Sequence, residues 1–339
     1  MIKVGRAAKM CAVTAGIAGL VLGCLAGTAQ AAKDETYTMA VIGDVPYGLP
    51  LISHFPAFIG QINADSDVRM VTHLGDIKNG SSVCSNDYFN LIYRDFALFR
   101  DPLVYTPGDN EWTDCHRANN GMYNPLERLA TVRETFFSRP GKTLGQQSVA
   151  VKAQPGFPEN VRYTRNGISF AAANIPGSNN SMLPWDGLGQ TAPTTEQVAE
   201  VTARTDADIA LIRDTFAQAK SDRNRAVVLQ IQADMFDPTV GTPTWSNYSA
   251  FKPIVQAIID ESSAFDGPVY LFDGDSHVFN VDQPLKAGSS WLSFYGVTGS
   301  ADRLTRVTVN GSNLGETGWL KVTTHSVGTP LTWQIIPAT

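Results

Sequence analysis

The chain has 339 residues, of which 43% are hydrophobic and 17% charged, and its formal net charge is -6. This composition supplies enough apolar surface for a large folded core and excludes an intrinsically disordered chain. The sequence contains no basic stripe, so we expect no nucleic acid polymer as a partner.

The N-terminus has the three parts of a secretory signal. Lys3, Arg6 and Lys9 supply positive charge before the uncharged, mostly apolar run at residues 11–27. Small residues then follow at the cleavage positions, residues 29–31. This arrangement is typical of a signal peptide that is removed during export.

We therefore expect residues 1–31 to be a signal peptide and residues 32–339 to form a single domain. The apolar run is too short, and too often interrupted by glycine and threonine, for a stable membrane span. The predicted location is periplasmic or secreted. A lipoprotein anchored at Cys24 is the alternative.

Four strand-like apolar runs end in the same dipeptide, Gly-Asp. Their aspartates are Asp44, Asp76, Asp109 and Asp275. Short, β-rich apolar runs that stop at glycine are typical of buried strands. The repetition is more informative than any single Gly-Asp, because glycine and aspartate are also common in plain turns and at helix caps.

Helical patterns separate the first three of these runs and follow the third. They cover residues 51–64, 86–99 and 125–137. Strands that alternate with helices in this way predict βαβ units and a parallel sheet. Right-handed crossovers place the carboxyl ends of such strands along one edge, where open α/β sheets bind ligands. We therefore expect Asp44, Asp76 and Asp109 to converge.

Two cysteines remain after the predicted cleavage, Cys84 and Cys115. Each follows one of the Gly-Asp dipeptides. In an oxidising compartment we expect them to form a disulfide that ties two loops of the site together. Two unrelated buried thiols are the alternative.

The second half of the chain predicts a second set of elements. Extended segments are expected at residues 161–164, 167–175 and 226–232, and helices at residues 195–220 and 250–259. The polar segment 176–180 either lines a pocket or is a plain turn. Beyond His277, short runs between turn residues predict antiparallel strands at residues 291–297, 303–309, 319–324 and 331–336.

Several carboxylates at one sheet edge require compensation. Like charges raise one another's pKa, and an uncompensated buried cluster costs several kcal/mol. At neutral pH in a polar cleft, divalent cations are the natural compensation. Two cations about 3.5–4 Å apart also promote in-line displacement at phosphorus.

The order of these dipeptides resembles the calcineurin-like metallophosphoesterases. That family carries the blocks Asp-x-His, Gly-Asp, Gly-Asn-His-Asp/Glu, a lone His after a strand, and Gly-His-x-His. The corresponding residues here are Gly43-Asp44-Val45-Pro46, Gly75-Asp76, Gly108-Asp109-Asn110-Glu111, Gln232 and Gly274-Asp275-Ser276-His277. The resemblance implies an α/β fold, a four-layer α-β-β-α sandwich with two mixed sheets, and one or two divalent metal ions.

Carried over by position, the resemblance assigns a role to each matching residue. Asp44 and His277 would bind the first metal, and Asp76 would bridge both. The second metal would be bound by Asp109, Asp275 and Gln232, with Gln230 as the alternative to Gln232.

The departures from the family blocks change the expected chemistry. Pro46 stands where the family has a ligand in its first block, and Asn79 or Tyr47 could supply that missing ligand. Oxygen donors stand where the family has imidazoles. Mn²⁺, Mg²⁺ or Ca²⁺ is therefore favoured over Zn²⁺.

The catalytic acid is a further departure. Asn110 stands where the family has a histidine that protonates the leaving group, and an amide does this poorly. His116 is the nearest replacement, with a surface histidine as the alternative reading. Arg117 and Lys78 are candidates for binding a phosphate anion, with ordinary surface charges as the alternative.

The sequence thus predicts a metal-dependent hydrolase of small phosphomonoesters or phosphodiesters. The alternative is a metal- or phosphate-binding module that descends from such an enzyme and has lost catalytic power. A serine hydrolase or a nucleotide-binding P-loop is not expected, because neither Gly-x-Ser-x-Gly nor Gly-x₄-Gly-Lys-Ser/Thr occurs in the sequence.

Overall fold

The structure of the chain, a computed structural model, describes residues 34–312 and 318–338. The predicted signal peptide, residues 1–31, lies outside the described residues. Strands and helices are numbered along the chain. Within the described residues, no helix combines the length and the apolar character that crossing a membrane requires.

The first sheet has five strands in the order β12-β11-β1-β2-β3. They are β1 (Thr36–Ile42), β2 (Val68–His73), β3 (Leu103–Tyr105), β11 (Trp319–His325) and β12 (Leu331–Ile336). The pairs β1–β2 and β2–β3 are parallel, whereas β11 pairs antiparallel with both β1 and β12. The sheet is therefore mixed, with its parallel half formed by the first three strands.

The second sheet has seven strands in the order β4-β5-β6-β7-β8-β10-β9. They are β4 (Lys152–Gln154), β5 (Phe157–Arg165), β6 (Ile168–Ala172), β7 (Ala226–Gln230), β8 (Val269–Asp273), β9 (Asn280–Asp282) and β10 (Leu304–Thr308). The four central strands from β6 to β10 run parallel, and β4, β5 and β9 add antiparallel pairs at the edges.

In the described part of the chain, seven α-helices cover the sheets and their edges. They are α1 (Gly48–Ala64), α2 (Asn86–Phe96), α3 (Pro125–Phe136), α4 (Gly177–Ser181), α5 (Thr195–Asp222), α6 (Lys252–Ser263) and α7 (Ser290–Tyr295). Local signals fix several helix starts. Ser85 caps α2, and Thr194 forms a capping box with Gln197 at the start of α5.

Side chains alternate between the two faces of each strand, and the buried apolar residues form three separate cores. In β1, Ala40 and Ile42 join the core beneath α1, α2 and α3, whereas Met39 and Val41 face the core between the two sheets. A third core packs α5 and α6 against the outer face of the second sheet. Each fully buried aliphatic or aromatic side chain stabilises this arrangement by roughly 1.5–3 kcal/mol. The predicted four-layer α-β-β-α sandwich with two mixed sheets is confirmed.

One predicted strand is wrong. Residues 291–297 were expected to be extended, but the structure has the short helix α7 there. Ser289 accepts a hydrogen bond from the Trp291 backbone N–H, and Gly296 ends the helix in the left-handed region. Helical spacing brings Trp291 and Tyr295 onto Phe236. Aromatic packing by two residues four apart favours a helix over a strand. The antiparallel expectation holds only in part for β10, which pairs antiparallel with β9 but parallel with β8.

The topology brings the ends of four strands together. Asp44, Asp76 and Asp109 follow β1, β2 and β3 of the first sheet, and Asp275 follows β8 of the second. The Asp44 backbone N–H donates to the Gly75 carbonyl at 2.9 Å, which joins two of these loops directly. Both sheets therefore contribute side chains to one edge.

Candidate metal centre

The loops after these strands have an unusual backbone conformation. Asp44, Asp76, Asp275 and His277 have φ values of 56°, 57°, 64° and 62°. Positive φ is uncommon for residues other than glycine, and such residues concentrate at functional sites. All four residues are among those that the sequence assigned to metal binding.

The structure brings together two groups of three side chains that could each hold a metal ion. Asp44, Asp76 and His277 form one group, and Asp76, Asp109 and Asp275 form the other. In each group the potential ligand atoms lie within 4.8 Å of one another. Asp76 belongs to both groups, which is the geometry of two sites that share a carboxylate.

Burial and crowding make these carboxylates costly to ionise. Burial raises the pKa of Asp76 well above its usual range, and the nearby Asp109 and Glu111 raise it further. Burial, Asp109 and Asp44 likewise raise the pKa of Asp275 well above its usual range. Burial also raises the pKa of Asp44, although a hydrogen bond from His277 opposes that rise.

The donor set fits a hard divalent cation. His277 Nε2 lies 3.1 Å from Asp44 Oδ1 and forms an ion pair with it when protonated. Among residues 34–312 and 318–338, no lysine or arginine forms an ion pair with Asp44, Asp76, Asp109 or Asp275. Four carboxylates, three of them buried and that of Asp275 partly buried, form a predominantly oxygen donor set with one imidazole, which suits Mg²⁺, Mn²⁺ or Ca²⁺.

Tyr47 and Asn110 hold the shared carboxylate. The Tyr47 hydroxyl donates to Asp76 Oδ2 at 2.8 Å and lies 3.4 Å from Asp44 Oδ1. The side-chain amide of Asn110 donates to Asp76 Oδ2 at 2.6 Å, and its backbone N–H donates to Asp76 Oδ1 at 3.1 Å. Asn110 therefore orients Asp76, and Tyr47 lies close enough to the first group to add an oxygen donor there.

Glu111 is a structural residue of the centre whose role the sequence did not reveal. It is completely buried. Its Oε1 accepts hydrogen bonds from the backbone N–H of Asp76 at 3.1 Å and of Gly108 at 2.7 Å, and from the Tyr105 hydroxyl at 2.7 Å. The carboxylate thus joins the loops after β2 and β3. Its place in the Gly-Asp-Asn-Glu block was the only available signal.

Gln232 contacts Asp109 through its amide nitrogen. Gln232 Nε2 donates to Asp109 Oδ1 at 3.4 Å, while Gln232 Oε1 accepts from the Gly177 backbone N–H at 2.6 Å. In this orientation the amide nitrogen of Gln232 faces Asp109, so the side chain positions that carboxylate. Its role as a metal ligand stays a prediction. Gln230 contacts Thr72 and Tyr163 between the sheets instead.

The segment after β6 completes the surroundings of Asp109. The Ser178 hydroxyl lies 2.9 Å from Asp109 Oδ2 and 2.8 Å from Asp114 Oδ1. Burial and the neighbouring Asp109 raise the pKa of Asp114 to about 7. A Cβ added at Gly177 would lie 2.6 Å from Asp109 Oδ2 and 2.9 Å from Asp275 Oδ2. Glycine at this position therefore lets two carboxylates approach the backbone.

The described contacts of His116 involve none of the four carboxylates of the candidate metal centre. Its Nδ1 lies 3.3 Å from Asp186 Oδ1 and accepts from the Gly187 backbone N–H at 3.3 Å. Burial lowers the pKa of His116. Its predicted catalytic role stays a prediction.

The two candidate phosphate-binding residues differ in accessibility. Arg117 pairs with Asp114 at 2.6 Å, and its side chain is 39% exposed. Lys78 is completely buried, and its ammonium group donates to the Asn79 carbonyl at 2.9 Å. Burial lowers the pKa of Lys78 to about 8. Of the two, Arg117 is the more accessible to a substrate, and both roles stay predictions.

The predicted disulfide between Cys84 and Cys115 is confirmed, with the two Cα atoms 5.8 Å apart. Both sulfurs lie beside the carbonyl oxygen of Asn110, at 3.5 and 3.6 Å. Because Asn110 donates two hydrogen bonds to Asp76, the disulfide supports the loop that orients the shared carboxylate.

Comparison with known proteins gives only distant likenesses. No family model matches the chain. No curated protein matches it either. A solved structure described as GAP50, the anchor in the inner membrane complex of Plasmodium, has a TM-score of 0.44 at 9% identity and covers 89% of this chain and 84% of its own.

Two solved hydrolases are similarly distant. The purple acid phosphatase PPD1 from yellow lupin seeds has a TM-score of 0.48 at 12% identity and covers 90% of this chain, which spans only 53% of that protein. Phosphopantetheinyl hydrolase from Mycobacterium tuberculosis has a TM-score of 0.38 at 13% identity and covers 81% of this chain and 89% of its own. At these TM-scores the likenesses identify no activity for this chain.

Proposed function

We propose that this chain is a metal-dependent phosphoester hydrolase of the calcineurin-like type, acting on a small phosphomonoester or phosphodiester. The observation that carries the proposal is the pair of donor groups that share Asp76. A shared carboxylate between two cation sites is the arrangement that two-metal phosphoesterases use.

The proposed metal ligands are the residues of the two groups. Asp44 and His277 would hold the first cation, Asp109 and Asp275 the second, and Asp76 both. A bound divalent cation would polarise a phosphoryl oxygen and lower the pKa of a water molecule. The oxygen-rich donor set favours Mn²⁺, Mg²⁺ or Ca²⁺ over Zn²⁺.

The residues around the cations would orient the reacting groups. Asn110 and Tyr47 keep Asp76 in place through the hydrogen bonds described above. The guanidinium of Arg117 and the side chain of Asn110 both lie against Gly80. A Cβ added at Gly80 would be 3.1 Å from Asn110 Oδ1 and 3.5 Å from Arg117 Nη1, so the two side chains are close to each other. Arg117 could therefore bind a phosphate oxygen at the edge of the centre.

A second candidate function is a metal- or phosphate-binding module with little or no catalysis. Asn110 favours it, because its amide is engaged with Asp76 and supplies no acid for the leaving group. Loss of a general acid typically reduces the rate by 10²–10⁴-fold. An ester with a good leaving group needs no such acid and distinguishes the two candidates.

The test is hydrolysis of p-nitrophenyl phosphate and bis-p-nitrophenyl phosphate by the mature protein with Mn²⁺, Mg²⁺ or Ca²⁺. The enzyme proposal predicts turnover that Asp76→Asn lowers by at least about 10³-fold. Asp214→Asn is the matched control, since the Asp214 side chain is 66% exposed and pairs only with Arg162 at 3.8 Å. Metal binding without turnover of either ester would instead support the binding module.

We further propose that the protein is exported, with cleavage after Ala31. The support is the signal-like N-terminus together with the disulfide, a bond that persists in oxidising compartments. N-terminal sequencing of the native protein should find Ala32 first. A modified Cys24 at the start would support the lipoprotein alternative.

A further inference from the structure

A cavity of about 300 Å³ opens beside the metal centre. Asp275 and Gly177 line it, and both also border the second group of candidate ligands. Its lining also includes Asp237, Tyr248 and Phe251. This volume is at the small end of ligand pockets. The cavity is therefore placed to receive the alcohol part of an ester whose phosphoryl group lies over the centre.

The charge of the cavity is negative. Its lining includes Asp234, Asp237 and Asp275 and contains no lysine or arginine. Asp234 Oδ1 pairs with Arg306, but Asp234 Oδ2 is buried without a hydrogen-bond partner. Asp275 would be compensated by the metal. Asp237 is then the carboxylate of the cavity whose negative charge stays uncompensated.

Asp237 has neighbours that do not neutralise it. Its Oδ1 accepts hydrogen bonds from the backbone N–H of Thr239 at 2.7 Å and from its hydroxyl at 2.6 Å. In the described part of the chain Asp237 forms no ion pair. A carboxylate held in this way, facing a cavity, attracts a positively charged group.

Aromatic side chains make the same cavity favourable for an organic cation. Tyr248 and Phe251 line it, and both are largely buried. Their rings lie 6.4 Å apart at 58° to each other. Aromatic faces attract ammonium groups, most strongly when the groups are shielded from water. An anionic alcohol part would meet uncompensated carboxylates and be repelled.

From this cavity we infer that the substrate class is a phosphoester of an amino alcohol, with its ammonium group bound between Asp237 and the rings of Tyr248 and Phe251. The inference rests on the proposed hydrolase function. Cationic esters should therefore be preferred over neutral esters of the same shape.

The test compares esters that differ only in charge. Choline phosphate is paired with 3,3-dimethylbutyl phosphate, in which carbon replaces the charged nitrogen. The p-nitrophenyl diesters of the same two alcohols form the second pair. We expect kcat/KM to favour the cationic ester by about tenfold in at least one pair, the effect of an ammonium group bound to a carboxylate and two rings.

Asp237→Asn tests the cause of that preference. The substitution keeps the shape and an acceptor for Thr239 but removes the charge, so the ratio between paired esters should fall to about one to threefold. Asp214→Asn removes an exposed charge elsewhere and should leave the ratio unchanged.

The outcomes separate this inference from the proposed function. Hydrolysis of p-nitrophenyl phosphate or bis-p-nitrophenyl phosphate without any preference for cationic esters would overturn the substrate class alone. A preference that persists in Asp237→Asn would also overturn it. Absence of turnover with every ester would overturn the hydrolase function and this inference with it.

Discussion

Two neighbouring clusters of buried and partly buried carboxylates in this protein differ in how they are neutralised. In one, Arg306 is fully buried and pairs with Asp234 and, at 2.8 Å, with Asp282. In the other, the candidate metal centre, four aspartates share one histidine. The fold thus supplies its own cation to the first cluster and only a single titratable imidazole to the second.

Other buried acids in the chain follow the first pattern. Arg204 lies 3.9 Å from Asp208, both completely buried, and Arg133 pairs with the buried Glu159 at 2.5 Å. An arginine is therefore a frequent partner of a buried carboxylate among the described residues, although Asp95 and Asp273 form no such ion pair. The candidate metal centre differs in gathering several carboxylates without one, and an exchangeable cation would explain that arrangement.

The largest expected effect comes from breaking the arginine-neutralised cluster. Arg306→Met should destabilise the fold by about 3–5 kcal/mol, because it leaves the buried carboxylate of Asp234 without its cation. Urea denaturation would measure this loss. Added divalent metal should not restore the stability, and a rescue by metal would show that the two clusters are interchangeable after all.

A smaller effect is expected from opening the disulfide. It closes a loop with a sequence separation of 31, and its removal by Cys84→Ala with Cys115→Ala should cost about 3–4 kcal/mol. Because both sulfurs contact Asn110, metal affinity should fall as well. Titration of the folded double variant with Mn²⁺ would measure it. Unchanged affinity would mean that Asn110 is held in place without the disulfide.

Filling the space beside Asp109 and Asp275 should weaken only the metal centre. Gly177→Ala places a methyl group against both carboxylates and should reduce metal affinity by about 10–100-fold, the range seen when the surroundings of ligands are disturbed. Gly241→Ala is the matched control, since no atom lies within 4 Å of a Cβ there. Equal affinity in both variants would place the metal elsewhere.

The pH dependence of the metal-free protein should show the smallest effect. The pKa values of Asp76 and Asp275 are raised in the folded state, so their favourable contribution is complete below their ordinary pKa and is lost as pH rises through the raised pKa. Metal-free wild type should therefore lose stability with rising pH more steeply than metal-free Asp275→Asn. Parallel melting temperatures from pH 4 to 9 would contradict this.

Much of the fold and of the candidate centre could be predicted because the signals are local. The Gly-Asp repeats mark strand ends, and the parallel topology then requires that Asp44, Asp76 and Asp109 lie at one edge. The helix starts at Ser85 and Thr194 likewise depend on neighbouring residues. The strand predicted at residues 291–297 failed because packing on Phe236 decided between two conformations of a short apolar run.

The remaining features depend on contacts between distant segments. Glu111 joins the loops after two strands, and Ser178 reaches Asp109 from α4, which follows β6 of the other sheet. The partners of Arg306 come from positions 72 and 24 residues away. Spacing along the chain contains no signal for such contacts, so only the folded arrangement shows which acids have an arginine and which do not.

Metal content tests the central claim most directly. The mature wild-type protein, incubated with Mn²⁺, Mg²⁺ or Ca²⁺ and then desalted, should retain one or two divalent cations per chain by elemental analysis. Asp76→Asn should retain fewer, because Asp76 belongs to both donor groups. A wild-type protein that is folded yet retains no divalent cation from any of these solutions would contradict the account.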